Sequence, residues 1–246
     1  MKNPEKLKIA LIGAGSVSFA PPTIRDILLN ERINSVPLEI CLMDILPEPL
    51  QVSSAYARAA AKQLNRAAAI TSTLDLEQAV SGADFVVTAI EVDRYFYWSQ
   101  DFHIPRKYGC TQVYGENGGP GGMFHTLRNL PPMLAIARAM ERLCPDAWLI
   151  NYTNPEAKLV EAIARLTTIK CVGLCHGIGM GLEQLSHLLQ IPAADLEVSA
   201  CGLNHFGWFQ SIRRRQTGED LYPLLKEKER QADWLSNWDE IALSRL

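Results

Sequence analysis

Several short stretches of this sequence carry residue types at spacings that could do chemistry. The first is Gly13-Ala14-Gly15-Ser16-Val17-Ser18, directly after the apolar run ending at Ile12. Glycines at such a place permit a tight turn and close approach of a nucleotide pyrophosphate. A helix starting at Pro21 or Pro22 would add unpaired N–H groups and a favourable dipole. The third glycine of the dinucleotide fingerprint is replaced by Ser18, so the match is partial. Asp44 ends the next apolar run. A carboxylate there accepts hydrogen bonds from a ribose 2′-hydroxyl and repels a 2′-phosphate, which favours NAD over NADP. The interval from Gly15 to Asp44 is longer than usual, so the first helix and its loop must be long.

A second group follows the later apolar runs. Asn151-Tyr152-Thr153-Asn154-Pro155 places amide side chains ahead of a proline-started helix, Cys175-His176-Gly177 follows the next run, and Asn204-His205 the one after. Cys175 and His205 are a thiol and an imidazole, the ligand types of a transition metal. Two ligands are too few for a closed zinc site. Either these are an ordinary free cysteine and a hydrogen-bonded histidine, or a substrate diol completes the shell. The glycine-dense run Gly115 to Gly122 is equally open: a flexible surface loop, or a close backbone approach to a ligand with Glu116 or Asn117 supplying a polar contact.

The elements that must position these residues are legible as alternating short apolar runs and longer amphipathic stretches. Lys8–Ile12, Leu38–Met43, Phe85–Ile90, Ala147–Ile150 and Cys171–Leu174 read as strands, apolar throughout and so buried on both faces. Helices are expected over Pro47–Asn65 and Met123–Leu143, the latter kinked or split at Pro131 and Pro132, and the alanine-rich span Ala55 to Ala69 is a good helix former. This is an α/β fold with a Rossmann-like, mostly parallel sheet. Residues 1–194 form the nucleotide-binding domain. From Asp195 the texture changes, with Leu196–Leu203 and Trp208–Arg213 reading as paired strands that begin a smaller α+β domain over 195–246. Trp234, Leu235, Trp238, Ile241 and Ala242 repeat at helical spacing and need an apolar surface to cover. Arg213, Arg214 and Arg215 read as a solvated strand edge.

Composition narrows the function classes. The 246 residues are 48% hydrophobic and 21% charged, which excludes a disordered or disulfide-stapled chain. A net charge of −3 without a broad basic surface argues against nucleic acid as a partner. The six cysteines are dispersed and form no C-x-x-C pair, which suits a reducing, cytoplasmic setting. The N-terminal stretch superficially suits a secretory signal, but Glu5, Gly13, Gly15 and two serines speak against it. No apolar run approaches membrane-spanning length.

Read together, IGAGS through Gly13 to Ser16, MD at Asp44, ADFVV from Ala83 to Val87, GPGG from Gly119 to Gly122, LR at Arg128, NYTNP from Asn151 to Pro155, GLCH from Gly173 to His176 and GLNH from Gly202 to His205 resemble glycoside hydrolase family 4. These are NAD- and manganese-dependent glycosidases related in fold to lactate and malate dehydrogenases. The resemblance implies that Gly13, Gly15, Ser16 and Asp44 bind NAD, that Cys175 and His205 hold Mn2+, and that Asn154 binds the sugar. His176 falls at the selectivity position, where a Cys-His pair resembles the branch acting on unphosphorylated α-glucosides, α-galactosides or α-glucuronides. It implies a small-molecule glycoside as partner and a homo-oligomer. The implied chemistry is oxidation of the sugar at C3, elimination of the aglycone, addition of water and return of the hydride, an exception to two-carboxylate hydrolysis. The family's base tyrosine belongs to a C-terminal half without a counterpart here, so no catalytic residue is assigned. A 2-hydroxy acid dehydrogenase, which shares the sheet, and a nucleotide-binding remnant without turnover are the competing readings.

Overall fold

The computed structural model describes residues 6–112 and 114–230; the apolar repeat from Trp234 to Ala242 lies outside them. The described residues fall into two compact units, one through Leu174 and one from Cys175.

The first unit is built on a six-stranded parallel sheet of β1 (Leu7–Ile12), β2 (Leu38–Met43), β3 (Ala68–Thr73), β4 (Phe85–Thr88), β5 (Trp148–Asn151) and β6 (Lys170–Gly173). Its order is β3-β2-β1-β4-β5-β6, so the direction of winding reverses between β1 and β4. Open parallel sheets bind ligands at that reversal, beyond the carboxyl ends of the strands. The central strands are apolar on both faces because helices cover both. Ile9, Leu11, Ile40 and Leu42 pack on one side with Ile24 and Leu28 of α1 (Ala20–Leu29) and Leu50 and Ala57 of α2 (Pro47–Gln63). Ala10, Ile12, Val86 and Leu149 pack on the other with Met133, Ile136 and Met140 of α5 (Gly119–Leu143) and with Leu159 and Ile163 of α6 (Glu156–Leu166). Each fully buried aliphatic side chain contributes about 1.5–3 kcal/mol of transfer free energy. Two further helices, α3 (Leu76–Val80) and α4 (Arg94–Arg106), complete this unit.

The structure departs from the expected elements in several places. The helix over Pro47–Asn65 stops at Gln63, because Asn65 takes a left-handed φ of 52° and the Arg66 N–H turns back to the Ala61 carbonyl. The alanine-rich span then enters β3, an edge strand paired in parallel with β2 through Ile70 and Thr71. The long helix begins at Gly119 and is not split: Pro131 and Pro132 forgo their N–H donors while the bonds on either side keep α5 continuous. The long interval before Asp44 is taken up by a 3-10 turn at Ile33–Ser35 rather than by a long α1. There the Asn34 side-chain amide donates to the Ile27, Leu28 and Asn30 carbonyls and closes the helix end.

The second unit comprises α7 (Gly177–Leu189), the antiparallel pair β7 (Leu196–Leu203) and β8 (Phe206–Arg214), and α8 (Tyr222–Arg230). Leu185, Leu189, Ile191, Leu196, Ile212 and Leu221 form its core. The arginine run is not a bare edge. Arg214 pairs with Glu219 at 2.8 Å and Arg215 donates to the Ala194 and Leu196 carbonyls, which fastens the end of β8 to the start of β7.

Candidate functional site

The glycine turn after β1 is fixed by its own neighbours. Gly13 has φ +84°, and a Cβ there would stand 2.3 Å from the Ala89 carbonyl oxygen in the loop after β4. At Gly15 a Cβ would meet Pro49 at 2.7 Å and Asp44 Oδ2 at 2.8 Å. Both glycines are therefore required before any ligand is considered. The Gly13 and Ala14 N–H groups both donate to the Met43 carbonyl, which clamps the turn to the end of β2.

The donors available to a phosphate differ from the sequence expectation. The helix starts at Ala20, and Pro21 and Pro22 in its first turn have no N–H to offer. Ala20 and Thr23 direct theirs to the Ser16 and Phe19 carbonyls, the Ser16 N–H goes to Gly13, and Ser16 Oγ accepts from Phe19 N–H. Among the described residues, the Val17 and Ser18 N–H groups meet no acceptor, and both residues are exposed. The N–H groups left without an acceptor here therefore lie in the loop, not at the helix terminus. A groove lined by Gly13, Ala14, Phe19, Thr23 and Ala89 opens beside them.

Asp44 stands at the carboxyl end of β2. Its Oδ2 accepts the Gly15 N–H at 2.7 Å and its Oδ1 the Leu46 N–H at 3.0 Å. Each oxygen keeps a second lone pair, so the carboxylate is oriented by backbone donors and can still accept from a ribose hydroxyl.

The loops after β4 and β5 are laced together. Thr88 Oγ1 donates to Asn151 Oδ1 at 3.0 Å, Ile90 N–H donates to Thr153 Oγ1 at 3.0 Å, and Asn151 Nδ2 donates to the Thr153 carbonyl at 3.0 Å. Asn151 and Thr153 are thus buried scaffolding, and Asn154, half-buried ahead of a cis Pro155, is held by its carbonyl, which accepts from Asn129.

Behind these loops lies a buried ionic cluster that sequence reasoning missed. His125, fully buried on α5, sets Nδ1 2.9 Å from Asp101 Oδ2 and Nε2 3.2 Å from Glu91 Oε1. Arg128 grips Asp101 with both terminal nitrogens at 2.8 Å and stacks over the Tyr97 ring at 4.5 Å. Glu91 also takes Arg94 at 3.1 Å and Asn129 Nδ2 at 3.0 Å. Burial alone would depress the His125 pKa, but the two carboxylates outweigh it and hold the imidazolium above its ordinary range. Burial would likewise raise Glu91, but its bonds to His125 and Asn129 and the charges of His125 and Arg94 hold it below the usual carboxylate range. The signal was present as His125, Arg128 and Asn129 at i, i+3 and i+4, on one face of a helix whose polar face had no assigned role.

Part of the glycine-dense run is packed rather than open. A Cβ on Gly121 would stand 2.1 Å from the Asp101 carbonyl oxygen, and one on Gly115 3.1 Å from the Phe102 nitrogen. These glycines let the start of α5 press against α4. Glu116 is 3% exposed and accepts the Trp98 indole N–H.

In the second unit, Cys175 and His176 open α7, with Cys175 Sγ accepting the Gly177 N–H at 3.4 Å. His205 sits at the turn between β7 and β8 with φ 59°. Cys175, His176 and His205 are all exposed. Among the described residues, no group of three or more His, Cys, Asp or Glu side chains could hold a metal ion. The donor set offered by Cys175 and His205 therefore fits a metal only where another ligand completes the shell.

Residues 8–191 match the family described as Family 4 glycosyl hydrolase, and residues 200–245 match the Family 4 glycosyl hydrolase C-terminal domain. An alpha-glucosidase of Erwinia rhapontici is 39% identical over 223 residues, covering 90% of this chain and 49% of the relative. An alpha-galactosidase of Bacillus subtilis (strain 168) is 37% identical over 235 residues, covering 95% of this chain and 54% of the relative. A 6-phospho-alpha-glucosidase from gut microorganisms, solved in complex with NAD and Mn2+, superposes with a TM-score of 0.80 at 27% identity, covering 92% of this chain and 51% of that one. The chain spans about half the length of the relatives it matches. The order and residues of the motifs, the sheet that carries them and these matches agree: the chain belongs to the family 4 glycosyl hydrolases.

Proposed function

We propose that this chain provides the cofactor- and metal-binding part of a glycosidase acting on unphosphorylated α-glycosides: α-glucosides, α-galactosides or α-glucuronides. The observation that carries the reading is a dinucleotide-type turn, with its acidic partner oriented by Gly15 N–H, in a chain of this family. Asp44 accepts the ribose hydroxyls, and the Val17 and Ser18 amides with the Ser16 and Ser18 hydroxyls receive the diphosphate. Gly13 and Gly15 keep the backbone low enough for that approach. Bound, NAD+ would supply a hydride acceptor and Mn2+ a Lewis acid. Cys175 and His205 would hold the ion, with a sugar diol completing the coordination. Asn154 binds the sugar, and His176, next to Cys175, discriminates by what it places near the substrate. The 39% identity to an alpha-glucosidase supports the unphosphorylated branch, and the choice rests on His176 following Cys175. Under this reading residues 1–194 bind the cofactor and residues 195–246 begin a substrate and dimerisation domain, in a homo-oligomer of a reducing cytoplasm. Among the described residues no helix is long and apolar enough to cross a membrane.

The test is a panel of α-glucosides, α-galactosides and α-glucuronides offered to the full-length gene product with NAD+, Mn2+ and a thiol reductant. Release of aglycone from at least one, abolished without NAD+, is the expected result. NAD+ binding with no cleavage of any glycoside would leave a binding remnant instead, and oxidation of a 2-hydroxy acid would point to the dehydrogenase reading.

A further inference from the structure

Asn129 is fully buried, and its side chain is satisfied on both ends. Nδ2 donates to the Asn154 carbonyl at 3.0 Å and to Glu91 Oε1 at 3.0 Å, and Oδ1 accepts the Val92 N–H at 3.3 Å. One amide thereby joins α5 to the loops after β4 and β5. A buried polar side chain costs stability unless every atom is paired, and here the partners are supplied almost wholly by ligand-side loops. Its neighbour along the helix, His125, holds the same Glu91 oxygen at 3.2 Å and anchors it through Asp101 to Arg128. We propose that Asn129 is the positioning residue of the sugar site, locking the backbone of Asn154 in place against a Glu91 that His125 and Asp101 keep fixed. The proposal rests on Asn154 binding the sugar, as argued above. It adds that the geometry of that contact is set from α5, beneath the crevice. Geometry errors of about an ångström at a reacting centre can cost two orders of magnitude, so such a clamp has a measurable effect.

Two variants separate positioning from general damage. Asn129→Asp keeps an oxygen for Val92 but turns a carboxylate toward Glu91 and the Asn154 carbonyl. Asn129→Leu, of similar size, removes every bond. Amide hydrogen exchange read by mass spectrometry, with the protein otherwise unliganded, should quicken by about tenfold or more at residues 152–154 in both variants, while residues 13–16 and 170–173 stay as in the parent. Val92 should be released only in Asn129→Leu. With NAD+ and Mn2+ present, affinity for methyl α-glucoside, methyl α-galactoside or methyl α-glucuronide, whichever the parent binds, should fall by about tenfold while NAD+ affinity changes by less than about twofold. Unchanged exchange at residues 152–154, or sugar and NAD+ affinity falling together, would overturn the proposal. A parent that binds none of the three glycosides removes the sugar-site reading, and the exchange arm still decides whether Asn129 holds the loop. If neither variant folds, the parent decides: side-chain amide protons of Asn129 that resist exchange in NMR support the clamp, and fast exchange contradicts it.

Discussion

The glycine turn of the first unit and the Cys175–His176 start of α7 in the second are both candidate ligand sites, yet they are built in opposite ways. Gly13 and Gly15 are packed against Ala89, Pro49 and Asp44, their turn is clamped to the Met43 carbonyl, and the candidate ribose acceptor is already oriented by Gly15 N–H at 2.7 Å. At Cys175, His176 and His205 the side chains are exposed, and two candidate metal donors are offered where a closed site needs more. The first site is preorganised and should bind before anything else arrives. Under the proposed function, the second depends on what its substrate brings. Substitutions should therefore cost the first unit stability together with affinity, and the second affinity alone.

The largest effect is expected behind the crevice. His125→Ala leaves Glu91 and Asp101 without a shared buried counter-charge, and loss of one partner from a buried ion pair costs about 3–5 kcal/mol. Urea denaturation of the first unit should show it. Gly13→Ala follows, at about 2 kcal/mol or more, since it combines a left-handed φ with a Cβ 2.3 Å from the Ala89 oxygen; a thermal melt and an NAD+ titration should fall together. By contrast, Cys175→Ser combined with His205→Ala should weaken Mn2+ binding by about tenfold or more and leave the melting temperature in place. A loss of stability equal to that of Gly13→Ala would erase the distinction between the two sites.

The smallest expected effect concerns pH. The His125 pKa is raised in the folded protein, so its stabilisation is fully present below its ordinary value near 6.5 and is lost as pH rises through the folded value. The Glu91 pKa is lowered, so its share is present above about 4.5 and is lost as pH falls through the folded value. The facing charges are Glu91, Asp101, Arg94 and Arg128. Denaturation followed against pH should show a stability plateau between these limits, and His125→Gln should flatten its alkaline side.

How much of this was legible follows from the physics of each segment. β1 and β2 announced themselves because strands buried on both faces must be apolar throughout, and the glycine turn because its residues serve backbone geometry. β3 was hidden: an edge strand with one covered side needs little apolar weight, and its alanines resemble a helix. α4 was missed because its aromatic residues crowd together from Tyr95 to Trp98 around the helix instead of marking one apolar face, and Tyr95 and Phe96 lie exposed. The ionic cluster escaped because it assembles from Glu91, Asp101, His125 and Arg128, whose pairing only the packing of α4 on α5 brings about. Asn154 could be singled out from its motif, whereas the Asn129 bond that holds it could not.

The central claim is that the turn at Gly13–Ser16 with Asp44 is a preformed NAD+ site, and calorimetric titration of the folded protein tests it most directly. Saturable NAD+ binding, weaker for NADP+ and weakened by about tenfold in Asp44→Ala, is the predicted result. No heat and no saturation with NAD+ on protein whose circular dichroism is that of a folded α/β chain would contradict it.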